Sequence, residues 1–155
     1  MTVAPATVLA SPVIVAPRPR GQLSRFRLLR FDGAPLRIVI VEDEGVVALD
    51  LALMVEQLGG RVAGIAGSVR EAMHIAATLA PDVALMDIRL PDGDGVDVAR
   101  HLRLRHRTPV VFVTACTEPA TLARVAATGG AELVSKPASI EALRGAILKV
   151  TDLAA

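Results

Sequence analysis

Short runs of aliphatic and β-branched residues alternate with segments of helical periodicity from Leu36 onward. Such alternation is typical of a parallel sheet whose strands are joined by helical crossovers. The predicted strands are 36–41, 61–66, 83–87, 109–114 and 131–135. The predicted helices are 46–58, 68–79, 96–105, 119–128 and 140–150. Because these crossovers are right-handed and a parallel sheet is covered on both faces, we predict an α/β fold with a doubly wound, five-stranded parallel sheet.

The first 35 residues lack this alternation. Prolines punctuate them and no hydrophobic period is sustained, which is typical of a segment without a packed core. We therefore interpret 1–35 as a disordered N-terminal extension and 36–152 as one domain. The apolar stretch 2–16 is not interpreted as a signal peptide, because no basic residue precedes it and Pro5 and Pro12 interrupt it.

The composition adds limits to this picture. Apolar residues make up 52% of the chain, with three Phe and no Tyr or Trp, so the core has to be aliphatic. A formal charge of +1 gives no overall electrostatic case for a nucleic-acid or membrane-surface partner. The single cysteine, Cys116, excludes an internal disulfide and favours a cytoplasmic location. No apolar run reaches the roughly 18 residues expected of a membrane span.

Polar residues follow four of the predicted strands at the ends that meet along one edge of such a sheet. These residues are Glu42, Asp43, Glu44, Asp87, Thr114 and Lys136. A lone acidic run after a strand is usually a solvated turn. A second acidic strand end, accompanied by a hydroxyl and an ammonium group, favours a functional site instead. Gathered carboxylates repel one another unless a cation neutralises them, and hard oxygen ligands suit Mg²⁺.

These residues and their order resemble bacterial response-regulator receivers. The resemblance rests on Glu42-Asp43 after an apolar strand, Asp87 followed by Leu90-Pro91 and Asp94-Gly95, Thr114-Ala115, and Lys136-Pro137. It covers about 36–150. It implies a flavodoxin-like strand order, 2-1-3-4-5, and a role in phosphorelay signal transduction. It also implies that the chain is not an enzyme beyond assisting its own phosphorylation and dephosphorylation.

The resemblance implies a role for each acidic residue. Asp87 would be the nucleophile that takes a phosphoryl group from a phosphohistidine. Asp43 and Asp87 would bind Mg²⁺ directly, Glu42 would act through a metal-bound water, and the backbone carbonyl of Arg89 would supply a further ligand.

The remaining site residues would act on the phosphoryl group itself. Lys136 would share its negative charge, and the Thr114 hydroxyl would donate a hydrogen bond to one of its oxygens. The bond between Lys136 and Pro137 is expected to be cis, as in the family. One position departs from the family pattern: Leu133 stands where relatives carry a switch aromatic, which leaves the size of any conformational switch open.

The resemblance also implies the kind of partner. The phosphoryl donor would be a histidine kinase or a histidine phosphotransfer protein, docked on the first helix at Val46, Val47 and Leu51. The chain ends soon after the fifth predicted helix, so we expect no DNA-binding domain. Output would then occur through contact with a downstream protein target that the sequence does not identify.

Two alternatives remain open. A haloacid-dehalogenase-like phosphatase also uses an aspartate nucleophile with Mg²⁺, but it needs an acid two residues later, where this chain has Arg89. A receiver-like interaction module that is never phosphorylated is compatible with Leu133. A dinucleotide-binding domain is disfavoured, because acidic residues at 42–44 occupy the place of the glycine-rich phosphate loop.

Overall fold

A computed structural model describes residues 27–154, with side chains described for 27–151. Five strands form one parallel sheet in this range: β1 (Arg37–Val41), β2 (Arg61–Ala66), β3 (Val83–Met86), β4 (Val110–Thr114) and β5 (Glu132–Ser135). Their order across the sheet is β2-β1-β3-β4-β5. The predicted fold class and strand order are therefore confirmed.

Five helices connect and follow the strands: α1 (Gly45–Gln57), α2 (Val69–Leu79), α3 (Gly95–His106), α4 (Pro119–Ala127) and α5 (Ile140–Ala154). Serine side chains cap the first turns of two of them. The Ser68 hydroxyl accepts the Glu71 N–H at 3.1 Å, and the Ser139 hydroxyl accepts the Ala142 N–H at 3.1 Å. These caps satisfy backbone donors that the helices leave unpaired at their first turns. None of the described helices is long and apolar enough to cross a membrane.

The sheet separates two hydrophobic cores. Side chains of β3 alternate between them, with Val83 and Leu85 facing the core beneath α1 and α5, and Ala84 and Met86 facing the core beneath α2 and α3. Every residue of β3 and β4 is buried. Burial on both faces explains why these strands are continuous apolar runs rather than alternating apolar and polar residues.

Residues 27–35, which the sequence analysis assigned to the N-terminal extension, include one residue that packs against the domain. Leu28 is fully buried, its N–H donates to the Leu58 carbonyl at 2.8 Å, and its carbonyl accepts the Leu36 N–H at 2.9 Å. The prolines of this segment indicated a chain without its own core, but Leu28 joins the core of the neighbouring domain. The rest of the predicted extension, 1–26, lies outside the described residues.

A short hairpin that the sequence analysis did not predict follows β3. Arg89–Leu90 pairs antiparallel with Gly93–Asp94. At its turn, the Asp92 carboxylate accepts the N–H groups of Val69 and Arg70 at 2.7 and 3.1 Å. The hairpin is therefore joined to the first turn of α2, which fixes the loop that follows β3.

Candidate functional site

Three carboxylates meet where β1 and β3 end. Oxygen atoms of Glu42, Asp43 and Asp87 lie within 4.8 Å of one another. Glu42 and Asp87 are only 3% and 9% exposed, whereas Asp43 is exposed. Backbone donors hold the two buried groups: Glu42 accepts the Glu44 N–H at 3.1 Å, and Asp87 accepts the Ile88 N–H at 2.7 Å. The acidic strand ends therefore converge as the sheet geometry predicts.

Lys136 joins this cluster from the end of β5. Its Nζ lies 2.6 Å from Glu42 Oε2 and 3.0 Å from Asp87 Oδ2. Burial alone would lower the pKa of Lys136, but hydrogen bonds to the two carboxylates and their charges outweigh it and raise the pKa. The ammonium form is thus favoured at neutral pH. The peptide bond between Lys136 and Pro137 is cis, which confirms the expectation.

Glu42 responds differently to the same contacts. Its burial is the largest effect and raises the pKa of the carboxyl group, while hydrogen bonds from Lys136 and the Glu44 N–H lower it. The nearby Asp87 charge raises it further. Burial, the largest effect on Glu42, thus disfavours its charged form, whereas for Lys136 the two carboxylates outweigh burial and favour the charged form.

The donor set fits a hard divalent cation. When all three carboxyl groups are ionised, the single ammonium of Lys136 leaves an excess of negative charge at a half-buried position. Carboxylate oxygens at this spacing are the ligands that Mg²⁺ and Ca²⁺ prefer, and a site with few protein ligands suits Mg²⁺ because it keeps several waters. The predicted contribution of the Arg89 carbonyl stays a prediction.

One cavity of about 470 Å³ collects most of the predicted site residues. Its lining includes Asp43, Asp87, Arg89, Thr114, Glu118 and Lys136. Thr114 is buried, and its oxygen accepts the Cys116 N–H at 3.1 Å. The hydroxyl hydrogen of Thr114 is thus left to donate to a group in the cavity. Glu42 lies beside this cavity, in contact with Lys136.

A second, more apolar groove of about 450 Å³ adjoins the cavity and shares Lys136 with it. Its other lining residues are Val46, Val47, Asp50, Leu51, Val113, Pro137 and Ala138. Val46 is 83% exposed at the first turn of α1. The groove therefore offers apolar surface directly next to the carboxylate cluster.

Ion pairs around the cavity were not predicted from the sequence. Arg89 contacts Glu118 at 2.7 Å, and Arg124 of α4 contacts Asp94 at 2.5 Å and Asp97 at 3.3 Å. These pairs join positions about thirty residues apart, so no local pattern indicates them. The hairpin that positions Arg89 did have a signal, because Pro91-Asp92-Gly93 is a common turn sequence.

Comparison with known proteins agrees with the fold. A family model of the response regulator receiver domain matches residues 38–148. The transcriptional regulatory protein PdtaR of Mycobacterium tuberculosis is 34% identical over 113 residues, which cover 73% of this chain and 55% of that protein. The phyllosphere-induced regulator PhyR of Methylorubrum extorquens is 42% identical over 83 residues, which cover 52% of this chain and 31% of that protein.

Solved structures show the same likeness. The signal receiver domain of a modulated diguanylate cyclase from Desulfovibrio desulfuricans superposes with a TM-score of 0.72 and 30% identity, covering 77% of this chain and 96% of that one. The PhyR receiver domain of Erythrobacter litoralis gives a TM-score of 0.64 at 28% identity, covering 76% and 90%. The family match, the sheet order and the acidic strand ends agree, and the chain belongs to the response regulator receiver domain family.

Proposed function

We propose that Asp87 accepts a phosphoryl group from a phosphohistidine of a histidine kinase or a histidine phosphotransfer protein, with Mg²⁺ bound beside it. The observation that carries the proposal is the position of Lys136, whose Nζ contacts Asp87 and Glu42 at once. A cation between two buried carboxylates costs desolvation energy, which is expected at a site that handles charge.

Asp87 is suited to nucleophilic attack. Its Oδ1 accepts the Ile88 N–H and its Oδ2 contacts Lys136, so the carboxylate is held in one orientation at the cavity wall. In the proposed reaction, an Asp87 oxygen bonds to phosphorus, the bond between phosphorus and the imidazole nitrogen breaks, and the histidine leaves with the electron pair. The product is an acyl phosphate on Asp87.

Lys136 and Thr114 are placed to stabilise the transferred group. Transfer adds negative charge next to an ammonium that already faces two carboxylates, so Lys136 can turn from Asp87 to a phosphoryl oxygen. The Thr114 hydroxyl lines the same cavity and has its hydrogen available for a second oxygen. Lys136 and Thr114 would contact the phosphoryl oxygens only as the group is transferred to Asp87. Such contacts lower the barrier to transfer instead of merely strengthening the binding of the donor.

The metal would be held by Asp43 and Asp87 directly, by Glu42 through water and by the Arg89 carbonyl. When bound, Mg²⁺ supplies positive charge that offsets the repulsion between the carboxylates and the incoming phosphoryl oxygens. The carboxylate spacing of at most 4.8 Å and the excess of negative charge support this assignment. The chain's own contribution is to hold those oxygens on two strand ends whose backbones are fixed in the sheet.

The apolar groove beside the cavity is the proposed docking place of the phosphoryl donor. Val46 and Val47 at the start of α1, together with Pro137, provide apolar surface that shares Lys136 with the reactive cavity. A donor helix lying in this groove would bring its phosphohistidine next to Asp87. Output then follows from contact of the phosphorylated domain with another protein.

Phosphorylation by a small donor tests the proposal. The full chain is incubated with phosphoramidate, whose phosphorus–nitrogen bond resembles that of phosphohistidine, with or without Mg²⁺. Intact-mass spectrometry should detect one added phosphoryl group that requires Mg²⁺ and is released by hydroxylamine, as expected of an acyl phosphate. The adduct should be lost in Asp87→Asn and kept in Asp32→Asn, a matched change of an exposed carboxylate outside both the cluster and the groove.

The outcomes separate the alternatives. No adduct with any small donor, together with normal folding, would favour a receiver-like module that is never phosphorylated. Turnover of free phosphomonoesters would favour a phosphatase.

The role of Lys136 has its own test. Lys136→Ala should still bind Mg²⁺ but accept phosphoryl at least about tenfold more slowly, since a transition-state contact to a charged group is worth more than about 1.4 kcal/mol. Mg²⁺ affinity can be measured by calorimetry and phosphorylation by the mass assay. Normal phosphorylation of this variant would contradict the role.

A further inference from the structure

The outer face of α1 is apolar and exposed. Along this face, Val46, Leu49 and Leu53 are 83%, 60% and 52% exposed. Because they are three and four residues apart, they form one stripe on the helix, here called the α1 stripe. The opposite face of α1 packs into the core. A helix that is apolar on all sides is normally covered on all sides, so the α1 stripe is expected to have a partner.

The N-terminal part of the chain joins the domain beside the end of α1. The Leu28 N–H donates to the Leu58 carbonyl at 2.8 Å, directly after the last turn of α1. The Arg27 side chain lies against Gly59, where a Cβ would be 3.1 Å from Arg27 Cγ. Residues 1–26 are therefore tethered within a few residues of Leu53, the last member of the α1 stripe.

The stretch 2–16 has aliphatic side chains of the kind that would cover the stripe. They are Val3, Val8, Leu9, Val13, Ile14 and Val15. The chain from Ala16 to Arg27 spans up to roughly 35 Å when extended. Val46, the far end of the stripe, lies only about 18 Å along α1 from Leu58. The stretch is thus long enough to reach every position of the stripe.

Charge and tethering favour this segment over a separate molecule. Helix α1 carries the exposed Asp50 and Glu56 and no basic residue, whereas residues 1–26 carry Arg18, Arg20 and Arg25 and no acidic residue. A tethered segment also acts at an effective concentration in roughly the millimolar range, which a second copy rarely reaches. A weak apolar contact is therefore enough to keep the segment on α1.

We infer that residues 2–16 bind the α1 stripe of the same chain. The contact needs no phosphoryl group, so it goes beyond the proposed function. It has one consequence that rests on that function: Val46 also lines the groove proposed for the phosphoryl donor, so the donor and the stretch compete for it. Leu28 is a precedent, since it comes from the same proline-punctuated extension and is fully buried in the domain.

Methyl NMR of the full chain tests the contact. In a sample with ¹³C-labelled methyl groups on Ile, Leu and Val, nuclear Overhauser effects should join the stretch 2–16 to Leu49 and Leu53. A mixture of labelled and unlabelled chains should show no such effects between chains. Effects found only between chains would overturn the inference, because a second copy would then cover the stripe. The absence of both kinds of effect would also overturn it.

Variants on each side of the contact make the result specific. Thermolysin, which cleaves at aliphatic residues, should cut the stretch 2–16 roughly five- to tenfold faster in Leu49→Asp than in the unmodified chain, because the apolar contact of Leu49 is lost. Leu104→Asp is the matched control, since Leu104 is 76% exposed on α3 at the other face of the sheet. Its cleavage rate should equal that of the unmodified chain.

Ile14→Asp changes the stretch itself and leaves the core intact. It should shift the methyl resonances of Leu49 and Leu53 and remove their nuclear Overhauser effects to the stretch. Unshifted resonances would contradict the contact even if Leu49→Asp folds poorly.

The failure of the contact and the failure of the proposed function are distinguishable. Phosphoramidate does not need the groove, so Ile14→Asp should accept a phosphoryl group at the rate of the unmodified chain. A chain that accepts no phosphoryl group but shows the nuclear Overhauser effects would overturn the function and keep the contact. Equal thermolysin cleavage of Leu49→Asp and Leu104→Asp would overturn the contact and leave the function standing.

Discussion

Replacing Leu28 with alanine tests how far the folded unit extends towards the N-terminus. Leu28 is fully buried and belongs to the same core as Leu36, Leu58 and Val150. Its two backbone hydrogen bonds, to Leu58 and Leu36, do not depend on the side chain. The substitution therefore isolates the packing contribution of a segment whose prolines had indicated an extension without a core.

The expected cost follows from the atoms removed. Leu28→Ala deletes three buried carbons, worth about 2.5 kcal/mol at roughly 0.8 kcal/mol for each methylene. The cavity left behind brings the total to about 3 kcal/mol, near the lower end of measured leucine-to-alanine costs.

Urea unfolding measures this cost. Far-ultraviolet circular dichroism is the suitable signal, because the chain has no Trp or Tyr to report by fluorescence. With a slope of about 1.5 kcal/mol per molar urea, the midpoint should fall by roughly 2 M. Phe31→Ala is the control, since Phe31 is 99% exposed in the same segment and its loss should change the midpoint little. Equal midpoints for the two variants would refute the packing assigned to Leu28.

Two other changes have outcomes fixed by local geometry. A Cβ on Gly95 would lie 2.9 Å from the carbonyl carbon of Asp87, so Gly95→Ala should lower the free energy of unfolding in urea by about 2 kcal/mol or more. Gly45 is also the first residue of a helix but has open space around it, so Gly45→Ala should not lower this free energy. The hydrogen bond from the Val69 N–H has the largest effect on the Asp92 carboxyl group, and it lowers the pKa of that group. The stability that Asp92 contributes is therefore present above the pKa it has in the unfolded chain, and it is lost as the pH falls through the lower pKa of the folded state. Between pH 5 and pH 2, the urea midpoint of the unmodified chain should fall more than that of Asp92→Asn. Equal losses in these two proteins would contradict the capping role.

The sequence predicts the sheet and its acidic edge because both depend on local patterns. Strand and helix periods are read within about ten residues, and parallel strands bring Asp87 and Lys136 to the same edge whatever the loops do. Their 3.0 Å contact is thus an outcome of topology. The partners of Leu28 and Arg89 are set by tertiary packing, which periodicity does not encode. Helix ends in left-handed conformation at Ala80 and Arg107 also lack the glycine that normally signals them.

Strand β3 is held rigidly in the middle of the sheet, whereas the charged residues around the cavity mouth are free to adjust. Its neighbours on both sides and the helices on both faces shield it completely, so its amides should exchange only when the whole domain unfolds. The carboxylate of Asp87 follows that strand directly, so its backbone is held as firmly as the strand. The charged residues around the cavity mouth are mostly solvent-facing and can change partners at little cost. Substitutions at these outer positions could therefore change the charge around the cavity while the carboxylate at the strand end keeps its position.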